Sequence, residues 1–348
     1  MISARPTTSR VISRILHATL ESEADKIVEI SPSTSRPSRP AIALPDETDR
    51  IIRGLAASDR DTMPRLTSPF FTQGSAYAYR LRNALIADGS VMIDRAYANF
   101  TSAKRNWILR GPFERIEEGA LCSSNVIEQY FGHWLTDGLS QELLACDGGL
   151  MPLTLTPPTQ RIHEVGYRTL LEMQSHAVNV ARVGSLWIFE DGELSPHRVA
   201  RIERMRDRLR RAISSVGPTR IYITRGVKGA LRSLVNENEV IDLLAARGFS
   251  ILSPEQSNSR MIVEQLRSAH IVVSVEGSAL AHAAIAVPRG AGLFVIQPPR
   301  RFNLLWKSYC NVLDFNFGYT VADAVGDYEF RQPIDRLSRA LDLFEAEC

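Results

Sequence analysis

Between residues 220 and 313 short apolar runs alternate with stretches of helical spacing. "RIYIT" (220–224) is a β-branched run followed by the glycine-containing loop "GVKGALRSLV". Next comes "NENEVIDLLAARG", whose periodicity predicts a helix with Asn236 as cap, Glu239 at its third position and Gly248 just past its end. "FSILS", "HIVVSV" and "GLFVIQ" repeat the strand signal, while "SRMIVEQLRSA", "SALAHAAIA" and "FNLLWKSYCNVL" repeat the helical one. Strands and helices alternating at this length predict right-handed crossovers and a parallel sheet covered on both faces.

The first half is less regular. "SVMID", "NWILR", "ALCSS" and "SLWIFED" read as strands, and "NVIEQYFGHWLTDGLSQELLAC" and "RIHEVGYRTLLEMQSHAVNVA" read as helices, so this half is also expected to be α/β. Residues 31–46, rich in proline and serine, predict an extended surface segment. The basic run "RVARIERMRDRLRRAIS" (198–214) predicts an amphipathic helix with a solvated cationic face. No repeat of fixed period is present.

The chain has 348 residues, 44% hydrophobic and 23% charged, which suits a globular protein of two domains. A net charge of +2 gives no global field toward nucleic acid or anionic lipid, so any anion site must be local. Cys122, Cys146, Cys310 and Cys348 lie far apart with no C-x-x-C pair, against a zinc or iron–sulfur site and in keeping with a reducing compartment. The amino terminus lacks the apolar core of an export signal, and no run of eighteen apolar residues occurs. The expected location is therefore cytoplasmic, with peripheral attachment at the inner face of the membrane left open.

Three places carry candidate chemistry. In "VEGSALAH" an apolar strand ends in Glu276, Gly277 and Ser278 before a helix. In an open parallel sheet that edge favours anions: Gly277 admits a phosphate close to the main chain, and Ser278 can cap the helix or donate a hydroxyl. Arg225 ends the "IYIT" strand and should emerge at the same edge, with Lys228 and Arg232 in the next loop. Guanidinium forks suit the oxygens of a diphosphate. In "YFGHWLTDGL", His133 and Asp137 stand four apart on one helical face among aromatic residues, a plausible acid–base pair or a structural hydrogen bond.

Taken together, "IYITRGVKGALRSLVNENEVIDLLAARGFSILSPEQ" and "EQLRSAHIVVSVEGSALAHAAIAVPRGAGLFVIQPP" resemble the carboxyl-terminal region of glycosyltransferase family 61. The motifs that carry the likeness are Thr224-Arg225, Arg232 to Asn236-Glu237, Gly248-Phe249 and Glu276-Gly277-Ser278-Ala279-Leu280, with His133 and Asp137 matching a His-x-x-x-Asp motif. The likeness covers roughly residues 80–315. It implies an α/β fold of the GT-B kind, two Rossmann-like domains facing across a cleft. The implied layout is an extended segment (1–50) packing on the core, an acceptor-side α/β domain (51–200), a nucleotide-sugar-binding domain (201–330) and a terminal helix (331–348).

The resemblance also implies inversion at the anomeric carbon, a nucleotide-sugar donor with UDP as the default nucleotide, a glycan or other hydroxyl acceptor, and a role in polysaccharide biosynthesis. On that basis Arg225, assisted by Arg232, and the Gly277–Ser278 main chain are assigned to the diphosphate. Asp137 is the preferred base, with His133 orienting it or serving as base itself. Glu276, where many relatives carry histidine, is assigned to ribose or sugar hydroxyls, and Asn236 and Glu237 to shaping the loop of Arg232. Arginines could supply the charge a metal supplies elsewhere, so no cofactor or metal is expected, and Asp59-Arg60-Asp61 is read as a surface sequence. A serine hydrolase on Ser278 and His282 lacks the G-x-S-x-G elbow, and a dinucleotide oxidoreductase lacks G-x-G-x-x-G. A non-catalytic nucleotide-sugar-binding or assembly protein of the same fold is the alternative.

Overall fold

The computed structural model describes residues 2–3, 9, 12–13, 18–55, 63–101, 109–110, 113–156, 161–226 and 232–348. Lys228 and the Asp59-Arg60-Asp61 triplet lie outside the described residues. The chain divides into two compact units: Met1–Thr34, Gly74–Glu164 and Glu172–Ile202 form the first, and Ser35–Gln73, Val165–Leu171 and Glu203–Cys348 the second.

The sheet of the first unit is mixed. Its strands are β1 (Lys26–Ser31), β2 (Ala76–Ala87), β3 (Ser90–Met92), β4 (Tyr97–Asn99), β5 (Glu114–Leu121), β6 (Pro152–Leu155), β7 (His176–Val178) and β8 (Val180–Glu190). They run in the order β7-β6-β5-β8-β2-β3-β4, with β1 also on β2. From β7 to β8 every pairing is parallel, and from β8 onward every pairing is antiparallel. The change follows from loop length. Asp88 and Gly89, with φ of 49° and 67°, turn β2 into β3 in two residues, and such a tight turn can only join antiparallel strands. The expectation of a Rossmann-like first half is thus met only by the β5–β6–β7–β8 portion.

Helices in this unit also depart from expectation. The segment read as one helix from Asn125 to Cys146 is broken: α1 (Asn125–Gln129) ends at Tyr130, which is extended (φ −122°, ψ 126°). A single turn α2 (Phe131–His133), a π-helical turn (Trp134–Gly138) and α3 (Leu139–Asp147) follow. The stretch 161–181 was expected to be one helix, yet only α4 (Glu164–Leu171) is helical. Glu172 takes a left-handed φ of 54°, and the valines beyond it enter β7 and β8.

The second unit matches the alternating pattern closely. Strands β9 (Arg220–Ile223), β11 (Ser250–Leu252), β12 (Ile271–Val275), β13 (Gly292–Gln297) and β14 (Asn316–Val321) form one wholly parallel sheet. The short β10 (Ser233–Leu234) pairs elsewhere, with β16 (Glu329–Arg331), itself antiparallel to β15 (Asp323–Ala324). Helix α5 (Pro196–Ala212) precedes the sheet; α6 (Glu237–Ala246), α7 (Ser259–Leu266), α8 (Leu280–Ala286), α9 (Leu305–Leu313) and α10 (Ile334–Glu347) follow its strands. Helices α6 and α10 pack together, as do α7, α8 and α9. Tyr222, Val273, Phe294, Ile296, Leu244, Leu341 and Phe344 belong to one buried core. Gly248, at φ 80°, ends α6 as its position predicts, with Phe249 N–H donating back to Leu244.

The strand order, β11-β9-β12-β13-β14, reads second, first, third, fourth, fifth in the chain. The direction of winding reverses between β9 and β12. In open α/β sheets that reversal opens a crevice beyond the carboxyl ends of the two strands, where ligands characteristically bind.

Candidate functional site

The residues that leave β9 and β12 at this reversal are Thr224-Arg225 and Glu276-Gly277. Ile223 is opposite Ser274, so continuing the register sets Arg225 opposite Glu276. A side chain on Gly277 would meet Arg232 Nη2 at 2.9 Å and Arg225 Nη1 at 3.7 Å, so both guanidinium groups lie against this one glycine. Its φ of 153° lies outside the range that other residues readily adopt. Burial pushes the Arg225 guanidinium below its ordinary value and Arg301 adds to the effect, while Glu276 and Glu237 oppose it. Arg232 Nη1 pairs with Glu276 Oε2, and Asn303 Nδ2 donates to Glu276 Oε1 at 3.3 Å. Glu276, 4% exposed, therefore offsets the charge of Arg232 and acts on Arg225 as well.

The Arg-x-x-x-Asn-Glu stretch holds these groups in place. After Arg232, Ser233 and Leu234 pair with Glu329 and Phe330. Asn236 continues that pairing with its side chain: Nδ2 donates to the Gln332 carbonyl at 2.9 Å and Oδ1 accepts from Gln332 N–H at 3.0 Å. It makes no side-chain cap, contrary to the sequence expectation, because both ends of its amide are engaged by Gln332. Glu237 Oε1 accepts from the Arg225 N–H at 2.8 Å and the Tyr222 hydroxyl at 2.9 Å, fixing the turn from which the arginine projects. Ser278 does not cap α8 either, since that helix begins at Leu280 with no side-chain cap. Two turns of helix carry little dipole, so charge at this edge comes from arginine.

His133 and Asp137 belong to the first unit and are in contact. His133 Nδ1 lies 2.7 Å from Asp137 Oδ2, and Thr136 Oγ1 donates to Asp137 Oδ1 at 2.7 Å. Arg198 Nη2 pairs with the same Oδ1, and its Nη1 donates to the Asp191 carbonyl at 2.8 Å. Arg201 pairs with the Asp191 carboxylate and reaches Ser140 Oγ. Burial works to raise the Asp137 carboxyl, but Arg198 first, then His133 and Thr136, overcome it and hold the group at about 2. Among the described residues none donates to or accepts from His133 Nε2, and the imidazole is one-quarter exposed. The π turn at Trp134–Gly138 carries Asp137; such insertions recur at functional sites.

Arg198, Thr136 and Asn303 were not anticipated. Nor was the burial of the basic helix: Arg198, Arg201 and Arg206 are at most 4% exposed, which overturns the solvated-face expectation at these positions. Their spacing alongside Ile202, Met205 and Leu209 on one face of α5 is the signal that could have revealed it. Arg206 donates to the Ala284 and Val287 carbonyls, closing the end of α8.

The family described as Glycosyltransferase 61 matches residues 131–293. Over this span the chain is similar to the glycosyltransferase 61 family. The span holds His133, Asp137, Arg225, Arg232, Asn236, Glu237 and Glu276 through Ser278, and the family implies glycosyl transfer between a donor and an acceptor. No curated protein matches the chain. Among solved structures the chain is similar to a flavo di-iron protein mutant from Thermotoga maritima at 10% identity and a TM-score of 0.29. That match covers 67% of this chain and only 54% of the other, about half its length. The chain is also similar, at 10% identity and a TM-score of 0.30, to the bacterial iron-containing dodecameric glycosyltransferase TibC from enterotoxigenic E. coli, over 74% of this chain and 81% of that one. Among the described residues, inside the matched span and outside it, no helix is long and apolar enough to cross a membrane.

Proposed function

We propose that the protein is an inverting glycosyltransferase that moves a sugar from a UDP-linked donor to a glycan or other hydroxyl acceptor in polysaccharide biosynthesis. The observation that carries this reading is the approach of Arg225 and Arg232 to Gly277 at the winding reversal of a parallel sheet. Planar cationic forks beside a bare stretch of main chain suit a diphosphate. The GT-B arrangement implied by the family resemblance gives the donor to the second unit and the acid–base pair to the first.

In the proposed reaction an acceptor hydroxyl attacks the anomeric carbon from the face opposite the diphosphate. A carbon–oxygen bond forms to the acceptor as the one to the leaving group breaks, inverting the configuration. The hydroxyl proton passes to His133 Nε2. Asp137, held at about 2 and bonded to Nδ1, orients the imidazole and stabilises its cation rather than acting as base. This reverses the preference stated from sequence, because a carboxylate bound by arginine has little affinity for a proton. Arg225 takes the charge of the departing diphosphate, so no metal ion is required. Asn236 and Glu237 keep their shaping role, and Glu276, neutralising Arg232, has one oxygen within reach of Asn303 and of a ligand hydroxyl.

A thermal-shift series with UDP and UDP-sugars tests the donor site. A bound nucleotide raises the melting temperature by mass action, and Arg225→Ala should lose most of that rise. An unchanged rise in the variant removes Arg225 from the site. Release of UDP on incubation with donor and acceptor panels tests turnover, and binding without release in every combination would refute catalysis.

A further inference from the structure

The second unit contains a cavity of about 140 Å³ beside the diphosphate edge, lined by Arg53, Arg232, Arg300 and Arg301, with Tyr328 and Pro299 among its walls. The loop that follows β13 supplies Arg300 and Arg301. The segment ending at Leu55 is tied to that loop, with Ile52 and Arg53 N–H groups donating to the Pro299 carbonyl at 2.8 and 3.0 Å and Arg53 Nε to the Arg300 carbonyl at 3.3 Å. Arg232 is common to the cavity and to Gly277, so the two sites are continuous.

Three guanidinium groups at this cavity lack the acidic partner, among the described residues, that other arginines of the chain have. Arg39, Arg50, Arg80, Arg247, Arg331 and Arg336 each pair with an acid. By contrast Arg53, Arg300 and Arg301 form no ion pair with any described residue, and Arg301 Nε is a buried donor with no hydrogen-bond partner. Asp327 and Glu329 also line the cavity. Arg232 is already offset by Glu276, so the other three arginines outnumber these two acids and pair with neither. A neutral sugar attached to a diphosphate would leave Arg53 and Arg300, both exposed, with no acidic partner among the described residues.

Building on the proposed donor site, we infer that this cavity receives a carboxylate carried by the donor's glycosyl group, so that the preferred donor is a nucleotide-activated acidic sugar. Of these three arginines, Arg301 is the one whose charge acts on Arg225, and it is assigned to the diphosphate side. Arg53 and Arg300 then bind the sugar carboxylate, and Tyr328 and Pro299 supply apolar surface for the ring. None of these three arginines falls within residues 131–293, so the specificity belongs to this chain's own loops rather than to the family region.

Titration calorimetry with UDP, UDP-glucose and UDP-glucuronate on the full chain tests the inference, because the two sugars differ in that one carboxylate. Native protein should bind UDP-glucuronate about tenfold more tightly than UDP-glucose, and the Arg53→Ala/Arg300→Ala protein should show a ratio near one. Equal affinities in the native protein, or an undiminished ratio in the variant, overturn the acidic-sugar inference and leave the diphosphate site standing. If UDP itself does not bind, the donor-site reading falls and this inference with it. Circular dichroism and the melting temperature without ligand verify that the variant is folded. A second, single variant, Arg300→Gln, should lower the same ratio by a smaller factor.

Discussion

Replacing Asp137 with asparagine removes a carboxylate that Arg198, His133 and Thr136 hold ionised inside the first unit. Burial disfavours its charge, yet the group sits at about 2 instead of its ordinary 3.8. At about 1.4 kcal/mol for each tenfold change in proton affinity, that depression contributes roughly 2–3 kcal/mol to the folded state at neutral pH. The side chain is only 12% exposed, so solvent screening removes little of this. The folded value lies below the unfolded one. The contribution is therefore complete well above 3.8 and is lost as pH falls through about 2, with roughly half gone by pH 3. Urea denaturation followed by tryptophan fluorescence at pH 7, 5, 4 and 3 measures it in native protein and in Asp137→Asn. The variant should be less stable by about 2–3 kcal/mol at pH 7, and the gap should shrink to about half by pH 3. A gap that is the same at pH 3 as at pH 7, or one below about 1 kcal/mol throughout, would show that the arginine does not hold this carboxylate ionised.

Two further outcomes follow from the same geometry. If His133 receives the acceptor proton, His133→Ala should lower turnover by about 10²- to 10⁴-fold while donor binding in a calorimetric titration is retained. Turnover within a fewfold of native in His133→Ala would return the base to Asp137. Gly277→Ala places a methyl group 2.9 Å from Arg232 Nη2 at a φ of 153°, so it should destabilise the protein by about 1–3 kcal/mol and weaken UDP binding in a calorimetric titration; native affinity in this variant would separate Gly277 from the donor site.

The two units were legible to different degrees, and the difference has a physical cause. In the second, β9, β12 and β13 are buried on both faces and α6, α7 and α9 are amphipathic, so apolar runs and hydrophobic period mark β9 and β11 through β13 and helices α6 to α9. The register that sets Arg225 opposite Glu276 then follows from topology, which is why the meeting of these two strand ends could be anticipated. In the first unit local pattern competes with long-range pairing. The 161–181 stretch has helical spacing yet yields residues 176–178 and 180–181 to β7 and β8, whose partners lie on β5, β6 and β2. The arginines of α5 show the same limit more sharply. The carboxylate that pairs with Arg198 is not legible from its neighbours in the chain, because Asp137 is 61 positions away; the closing partners of Arg206 are carbonyls 78 and 81 positions on. Hydrophobic period tells which face of a helix turns inward, but a buried charge is tolerated only by a partner of matching geometry. That partner is fixed by the fold. The role proposed for Asp137 changes for the same reason: a His-x-x-x-Asp spacing shows that two groups can touch, whereas which of them can accept a proton depends on a third, the guanidinium of Arg198.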